Sequence, residues 1–188
     1  ADLLFVIDNS LSMDTYQAAL AGSFPSFVDA MYDNLPPGTD IHVGVTTTDF
    51  NCGSTGCSCS EGTSNCASSA TEQEILDHYD TPDTGNNGGN GSQGRFFENG
   101  GIAYFEGTTD EDPAPLKDWF TTTATAAGTT GCSFEMLSAG AAYAAHPANE
   151  PTNGGFFRDA GAVLIIFILS DEPDKSPEDA AIENQGVL

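Results

Sequence analysis

The sequence has very few basic residues. Only 4 of its 188 residues are Lys or Arg, whereas 28 are Asp or Glu, so the formal net charge is −24 at pH 7. Proteins that bind nucleic acid use Lys and Arg to neutralise phosphates, and docking on anionic lipid also depends on them. The composition therefore argues against both kinds of partner. A salty or calcium-rich exterior, or a basic partner protein, would screen the self-repulsion of such a chain.

The sequence also lacks any hydrophobic run as long as a membrane-spanning helix, and no segment resembles a signal peptide. We therefore expect no membrane insertion of this segment. Because residue 1 already borders the first predicted strand, we expect a trimmed domain or a mature piece of a larger protein or assembly. The apolar content of 39%, with 12 Phe, predicts one globular domain over residues 1–188.

Motifs typical of enzymes are missing as well. The chain has no Gly-x-Ser-x-Gly, no His-Glu-x-x-His and no Gly-x-x-x-x-Gly-Lys segment. Its histidines, His42, His78 and His146, are far apart, and each is expected to be a surface or cap residue rather than a base. We therefore predict that the protein is not an enzyme, with a metal-dependent hydrolase as the least favoured alternative.

The most informative segment is the apolar run 3–7, which is followed by Asp8, Ser10 and Ser12. A short apolar run that ends in a polar turn is typical of a strand buried on both faces of a parallel sheet. Open α/β sheets bind ligands at the carboxyl ends of such strands. One carboxylate and two hydroxyls are hard oxygen donors, which suit Mg²⁺, Mn²⁺ or Ca²⁺. The alternative is that Ser12 or Asp14 only caps the next helix.

Two later segments complete the pattern. Residues 162–169 form the most apolar stretch of the chain, and we expect a second buried strand there, ending at Ser170, Asp171 and Glu172. Between the two strands, the loop 128–131 precedes an alanine-rich helical segment and offers a threonine hydroxyl. The sequence thus supplies a carboxylate-and-hydroxyl loop, a threonine loop and a distant aspartate.

Together these segments resemble the von Willebrand factor A domain, whose metal-ion-dependent adhesion site combines Asp-x-Ser-x-Ser with a distant Thr and a distant Asp. The three pieces occur in the family's order, and the resemblance covers residues 2–49 and 120–174. It implies a doubly wound α/β fold with a mostly parallel central sheet flanked by helices. Such domains continue for two more strands and helices after the second Asp. The resemblance therefore implies an incomplete C-terminal part: either the remaining strands are missing from this sequence, or another segment or chain completes the sheet edge.

The resemblance also implies the metal site. The predicted metal-site residues are Asp8, Ser10, Ser12, Thr129 and Asp171. In the family the two serines bind the ion directly, the aspartates act through water or hydrogen bonds, and the threonine joins or leaves the ligands as the domain changes state. Thr130 is the alternative to Thr129. Glu172 and Asp174 are close enough in sequence to contribute, but acidic residues after a strand are more often part of a solvated loop.

The function that the resemblance implies is adhesion. A divalent cation, Mg²⁺ first with Mn²⁺ or Ca²⁺ as alternatives, would keep an open position for a carboxylate of a protein ligand or another cell-surface component. We therefore expect an extracellular or cell-surface, cation-dependent protein-binding domain. The alternative is a structural cell-surface module in which the metal only stabilises the fold.

The segment 50–100 is predicted to be an insertion between the core segments 1–49 and 101–188, and to border the metal face. It is rich in Cys, Gly and Asn, and we expect a short helix over 72–79 and otherwise a flexible surface loop, with a second calcium site as the alternative. Four of the five cysteines, Cys52, Cys57, Cys59 and Cys66, lie within fifteen residues. This crowding favours disulfides and an oxidising compartment over a zinc site. Cys132 would be free, paired within the loop or paired outside the chain.

The remaining elements follow from periodicity and breakers. Apolar residues at spacings of three and four predict an amphipathic helix over 14–35 that packs against the sheet through Tyr16, Leu20, Phe24, Phe27, Val28, Met31 and Leu35. We expect it to be kinked or split at Pro25 and stopped by residues 36–38. A β-branched run predicts a strand over 41–48, giving a β-α-β unit. We further expect an edge strand or hairpin over 96–105, a helix over 116–127, and a small-residue helix over 133–145 that packs tightly on the sheet.

Overall fold

The structure is a computed structural model that describes residues 1–49, 57–60, 63–66, 92–129, 131, 135–158, 160–174 and 176. In chain order the helices and strands are β1 Asp2–Ile7, α1 Asp14–Asn34, β2 Asp40–Thr47, β3 Cys57–Ser60, β4 Thr63–Cys66, β5 Tyr104–Thr108, α2 Ala114–Ala126, α3 Leu137–Ala144, α4 Glu150–Asn153 and β6 Leu164–Leu169. Short 3₁₀ turns occur at Leu11–Met13 and Pro147–Asn149. The predicted helix over 72–79, Cys52 and Cys132 lie outside the described residues.

The central sheet is mostly parallel, as the sequence predicted. Its strand order is β5-β2-β1-β6, with β1 parallel to both β2 and β6, and β5 antiparallel to β2. The strands β3 and β4 form a separate antiparallel pair, in which Cys57 lies opposite Cys66. The described chain is therefore a mixed α/β fold with a four-stranded sheet, compatible with a doubly wound, Rossmann-like architecture.

The strand β1 is buried on both faces. Because successive side chains of a strand point to opposite faces, Phe5 and its alternate neighbours pack on one side, where Phe24 of α1 and Phe120 of α2 complete an aromatic cluster. Leu4 and the residues in phase with it face the other side, against Phe96, Ala144 and Phe156. Helices α1 and α2 thus cover one face, and α3 lies over the other.

Helix α1 is one α-helix with Pro25 inside it, so of the two predicted alternatives, a kink or a split, the split does not occur. Proline removes a single backbone donor from the helix interior, and the buried side chains of Phe24 and Val28 hold the flanking turns on the sheet. Tyr16, which the periodicity assigned to the inner face, is 56% exposed. The helix ends before Pro36, where Leu35 is extended, as predicted.

The prediction that 162–169 is a buried strand is only half right. The strand β6 forms, but it is the last strand of the sheet, and in the described part of the chain no element lies beyond it. Leu164, Ile165, Ile166 and Ile168 are 41–47% exposed, whereas Phe167 and Leu169 pack against the α1 side of the core. Burial of an apolar strand depends on what covers it, and no described segment covers the outer side of β6.

Strand β2 and helices α2 and α3 agree with the sequence within a few residues. The edge strand or hairpin predicted over 96–105 is displaced: β5 begins only at Tyr104, because a tight turn comes first, in which Gly100 and Gly101 adopt positive φ angles of 63° and 80°. Helix α3 packs closely on the sheet, since a Cβ at Gly140 would lie 2.8 Å from the Thr47 carbonyl oxygen. Among the described residues, no helix has both the length and the apolar character needed to cross a bilayer.

Candidate metal-binding site

The parallel pairing of β1 and β6 brings two distant loops to one edge of the sheet. Ile7 and Leu169 are register partners, so the residues that follow, Asp8 and Ser170, leave the sheet side by side. The Asp8 N–H donates to the Leu169 carbonyl at 2.9 Å. The carboxyl ends of two adjacent parallel strands therefore meet where the sequence predicted a site.

Four of the five predicted site residues are joined by hydrogen bonds. The hydroxyl oxygens of Ser10 and Ser12 lie 3.1 Å apart, and the Ser12 hydroxyl donates to Asp171 Oδ1 at 3.1 Å. Asp8 Oδ1 accepts the Ser10 N–H at 2.8 Å. Asp171 and Ser12 are 159 positions apart in the chain, so only the fold can bring them together.

One part of the site is buried in the protein, and the other part is exposed to solvent. Asp8 and Ser10 are 0% and 2% exposed, whereas Ser12 and Asp171 are exposed. Leu11, between the two serines, has an exposed fraction of 65%. An ion at Ser12 would thus be accessible to a second molecule, and an apolar side chain would lie beside it.

The Asp8 carboxylate is held from both sides. Its Oδ1 accepts the Ser10 N–H, and its Oδ2 accepts the Ser170 hydroxyl at 2.6 Å. Gln17 of α1 donates from Nε2 to the Asp8 carbonyl at 2.8 Å, which ties the loop to the helix. Both oxygens of the Asp8 carboxylate already accept hydrogen bonds. The carboxylate is therefore placed to orient the Ser10 N–H and the Ser170 hydroxyl, and to supply negative charge on the buried side of the site.

The third loop reaches the site through Gly131. Its N–H donates to the Asn9 carbonyl at 2.8 Å, and a Cβ at this position would lie 2.4 Å from the Asn9 side chain. A larger residue at this position would require the Asn9 side chain to move. Thr129 lies two residues earlier and is half-buried, and no hydrogen bond within the described residues joins it to the serines or aspartates. Thr130 lies outside the described residues.

The donor set fits a small divalent cation. Mg²⁺ binds oxygen at about 2.0–2.1 Å in octahedral geometry, which places adjacent ligand oxygens about 3 Å apart. The separations from Ser12 Oγ to Ser10 Oγ and to Asp171 Oδ1 are both 3.1 Å. In the described part of the chain, no group of three or more His, Cys, Asp or Glu could hold a metal; this cluster differs in taking two of its oxygens from serine.

The helix-cap alternative has little geometric support. The Ser12 hydroxyl contacts Ser10 and Asp171, and Ser10, which precedes the 3₁₀ turn, makes no side-chain capping bond. Within the described residues, no hydrogen bond joins the Asp14 side chain to an N–H group of α1. The serines therefore contact each other and a distant aspartate rather than helix N–H groups.

Sequence reasoning did not assign a role to Ser170 or Gly131. Ser170 follows β6 as Asp8 follows β1, so aligning the two apolar runs end to end could have indicated their contact. For Gly131, the run Gly-Thr-Thr-Gly marked a loop, but no sequence signal indicated that its second glycine lies against Asn9. Asp174 is close enough in sequence to contribute, but both of its oxygens accept hydrogen bonds elsewhere, from Leu137, Ser138 and Ser176.

Comparisons with family models, with curated proteins and with solved structures found no match to this chain. What the fold and site define on their own is an α/β domain with a cluster of hydroxyls and carboxylates at the carboxyl edge of its parallel strands. Any assignment beyond that rests on the residues and their geometry.

Proposed function

We propose that this protein is a von Willebrand factor A-like domain that binds a divalent cation at Ser10, Ser12 and Asp171 and uses it to bind a carboxylate of a protein partner. The observation that carries the proposal is the contact between Ser12 and Asp171, together with the 3.1 Å spacing of the two serine hydroxyls. These are the groups that the sequence pattern named, and two separate loops contribute them.

The chemistry of the cluster supports ligand binding. Serine hydroxyls are neutral, so an ion bound to them keeps more of its positive charge than one surrounded by carboxylates. Such an ion attracts an additional anionic oxygen. Ser10 and Ser12 would bind it directly, Asp171 directly or through water, and Asp8 would orient the serine loop. Thr129 and Thr130 stay candidates for a further ligand from the third loop.

The surroundings of the cluster favour a protein as the partner. The exposed Leu11 offers an apolar contact directly beside the ion, and protein interfaces combine such apolar contacts with a few charged ones. A net charge of −24 repels an acidic partner at long range. The partner surface should therefore present one carboxylate within a neutral or basic patch. Extracellular or cell-surface placement follows from the predicted disulfides.

Thermal unfolding with EDTA, Mg²⁺, Mn²⁺ or Ca²⁺ tests the metal site. Only an ion that binds the native state raises the melting temperature in a saturable way. We expect a rise with Mg²⁺ or Mn²⁺ that is lost in Ser10→Ala/Ser12→Ala and kept in Ser23→Ala/Ser26→Ala, which removes two exposed serines of α1. An equal rise in all three proteins would mean that the acidic surface, and not this cluster, binds the cations.

A second measurement separates adhesion from a purely structural metal. Mn²⁺ bound with an open position exchanges water and enhances proton relaxation, and a carboxylate that takes that position displaces the water. We expect acetate to lower the relaxation enhancement of the Mn²⁺ complex in a saturable manner. No effect of acetate, with Mn²⁺ still bound, would favour the structural alternative.

A further inference from the structure

The segment after β6 caps the amino-terminal end of α3. Asp174 Oδ1 accepts the backbone N–H of Leu137 at 2.9 Å, and its Oδ2 accepts the N–H of Ser138 at 3.1 Å and the Ser138 hydroxyl. Two residues later, Ser176 Oγ accepts the N–H of Ala139 at 3.0 Å. The first three N–H groups of α3 are therefore bonded by side chains of this one segment.

Such a cap usually comes from the residue directly before the helix. The first N–H groups of a helix have no partner within it, and Met136, which precedes α3, makes no side-chain capping bond. A carboxylate is also favourable at this end of the helix dipole. Because Asp174 lies 37 positions beyond Leu137 in the chain, its contact joins two separate parts of the fold.

Helix α3 is itself held in place by the sheet. Its Gly140 lies against the Thr47 carbonyl without room for a Cβ, and the Met136 N–H donates to the Thr48 carbonyl at 3.2 Å. The helix is thus held against the end of β2, in the centre of the sheet. A segment bonded to α3 takes its position from the sheet itself.

The same segment carries Asp171, three residues before Asp174. We propose that Asp174 is a positioning residue, which ties this segment to α3 and thereby holds Asp171 within reach of Ser12. The inference rests on the proposed cation site. Asp174 itself is not a ligand in this arrangement, because its two oxygens bond to α3 and to the Ser176 N–H, at 2.9 Å.

The test is the affinity for Mn²⁺, measured from the electron paramagnetic resonance signal of free Mn²⁺ at a temperature where every variant is folded. We expect Asp174→Ala to weaken binding about tenfold, the size typical of groups that orient a metal ligand. The matched control is Asp112→Ala. Asp112 Oδ1 accepts the Ala114 N–H at 3.0 Å at the start of α2, so this variant loses the same charge and a capping bond at another helix. It should bind Mn²⁺ like the wild type.

Four outcomes can be told apart. Wild-type affinity in Asp174→Ala overturns the inference, and so does an equal loss in both variants, because overall charge would then explain it. If Asp174→Ala does not fold, Ser138→Ala decides: it removes one donor to Asp174 and no charge, and unchanged affinity in it overturns the inference. A wild-type protein that binds Mn²⁺ no better than Ser10→Ala/Ser12→Ala instead removes the proposed function on which the inference rests.

Discussion

Strands β1 and β6 have nearly the same sequence character and opposite surroundings. Both are short apolar runs that end in an acidic or hydroxyl-bearing loop, and they pair in parallel along their full length. Leu4 and Ile166 are register partners, yet Leu4 is 0% exposed and Ile166 is 43% exposed. An apolar run therefore predicts a strand, whereas burial depends on whether the fold places another element beside it.

The largest expected effect on the free energy of unfolding comes from truncating Leu4, and truncating its register partner Ile166 is the comparison. Leu4→Ala should lower the free energy of unfolding by about 2–5 kcal/mol, because it leaves a cavity between β1 and the Phe96 and Phe156 side chains. Ile166→Ala, one strand away, should cost about 1 kcal/mol, because solvent already reaches its side chain. Urea unfolding of both variants measures the difference. Equal losses would show that β6 is covered in solution.

The next largest effect concerns helix α3, which covers one face of β1 and has no counterpart over the outer side of β6 in the described part of the chain. Gly140→Ala should lower the free energy of unfolding by about 1–3 kcal/mol, because its Cβ would press α3 away from the Thr47 carbonyl at 2.8 Å. Gly22→Ala in α1 is the control, since nothing lies within 4 Å of a Cβ there. It should stabilise the protein by about 0.5–1 kcal/mol. In thermal melts, Gly140→Ala should have a lower melting temperature than the wild type, and Gly22→Ala a higher one.

A smaller effect is expected from the segment that follows β6. Partial burial alone would raise the pKa of Asp174, but hydrogen bonds from Ser138 and Ser176 outweigh it and lower that pKa below 3.8. A lowered pKa means that the ionised group stabilises the fold above pH 3.8 and that this contribution is lost as the pH falls through the native pKa. The stability difference between wild type and Asp174→Ala should therefore shrink as the pH falls from about 5 into the strongly acidic range. A constant difference would contradict the capping contact.

The smallest effect is expected on the exposed side of β6. Ile168→Thr keeps a β-branched residue in the strand and should change the free energy of unfolding by only about 0.5–1 kcal/mol. It should nevertheless reduce self-association, because an apolar edge strand can pair with another chain. Light scattering at increasing concentration, compared with wild type, measures this change. A destabilisation as large as that of Leu4→Ala would mean that Ile168 is buried in solution.

Local patterns were sufficient for most of the fold. The apolar runs, the helical spacing of Phe24 and Val28 and the breaker at Pro36 predicted β1, α1 and β2 within a residue or two, because these signals act between chain neighbours. The grouping of Asp8, Ser10, Ser12 and Asp171 was implied by the family resemblance, and it agrees with the rule that parallel strands place their carboxyl ends at one edge.

What could not be predicted is non-local. The exposure of Ile166 and Tyr16 depends on which elements lie beyond β6 and α1, and periodicity contains no information about that. The cap that Asp174 supplies to α3 joins residues 36 or more positions apart, so no window of sequence shows it. The metal, its partner and the role of Thr129 stay predictions.

The central place of β1 also determines how the domain would carry force. The strand runs from Asp2 to the site loop, and it pairs in parallel with six residues of β2 on one side and six of β6 on the other. A pull between the amino-terminal end of β1 and a partner held at Ser12 acts along the strand axis. Both ladders would then be loaded in shear, and their hydrogen bonds would share the tension instead of opening one at a time.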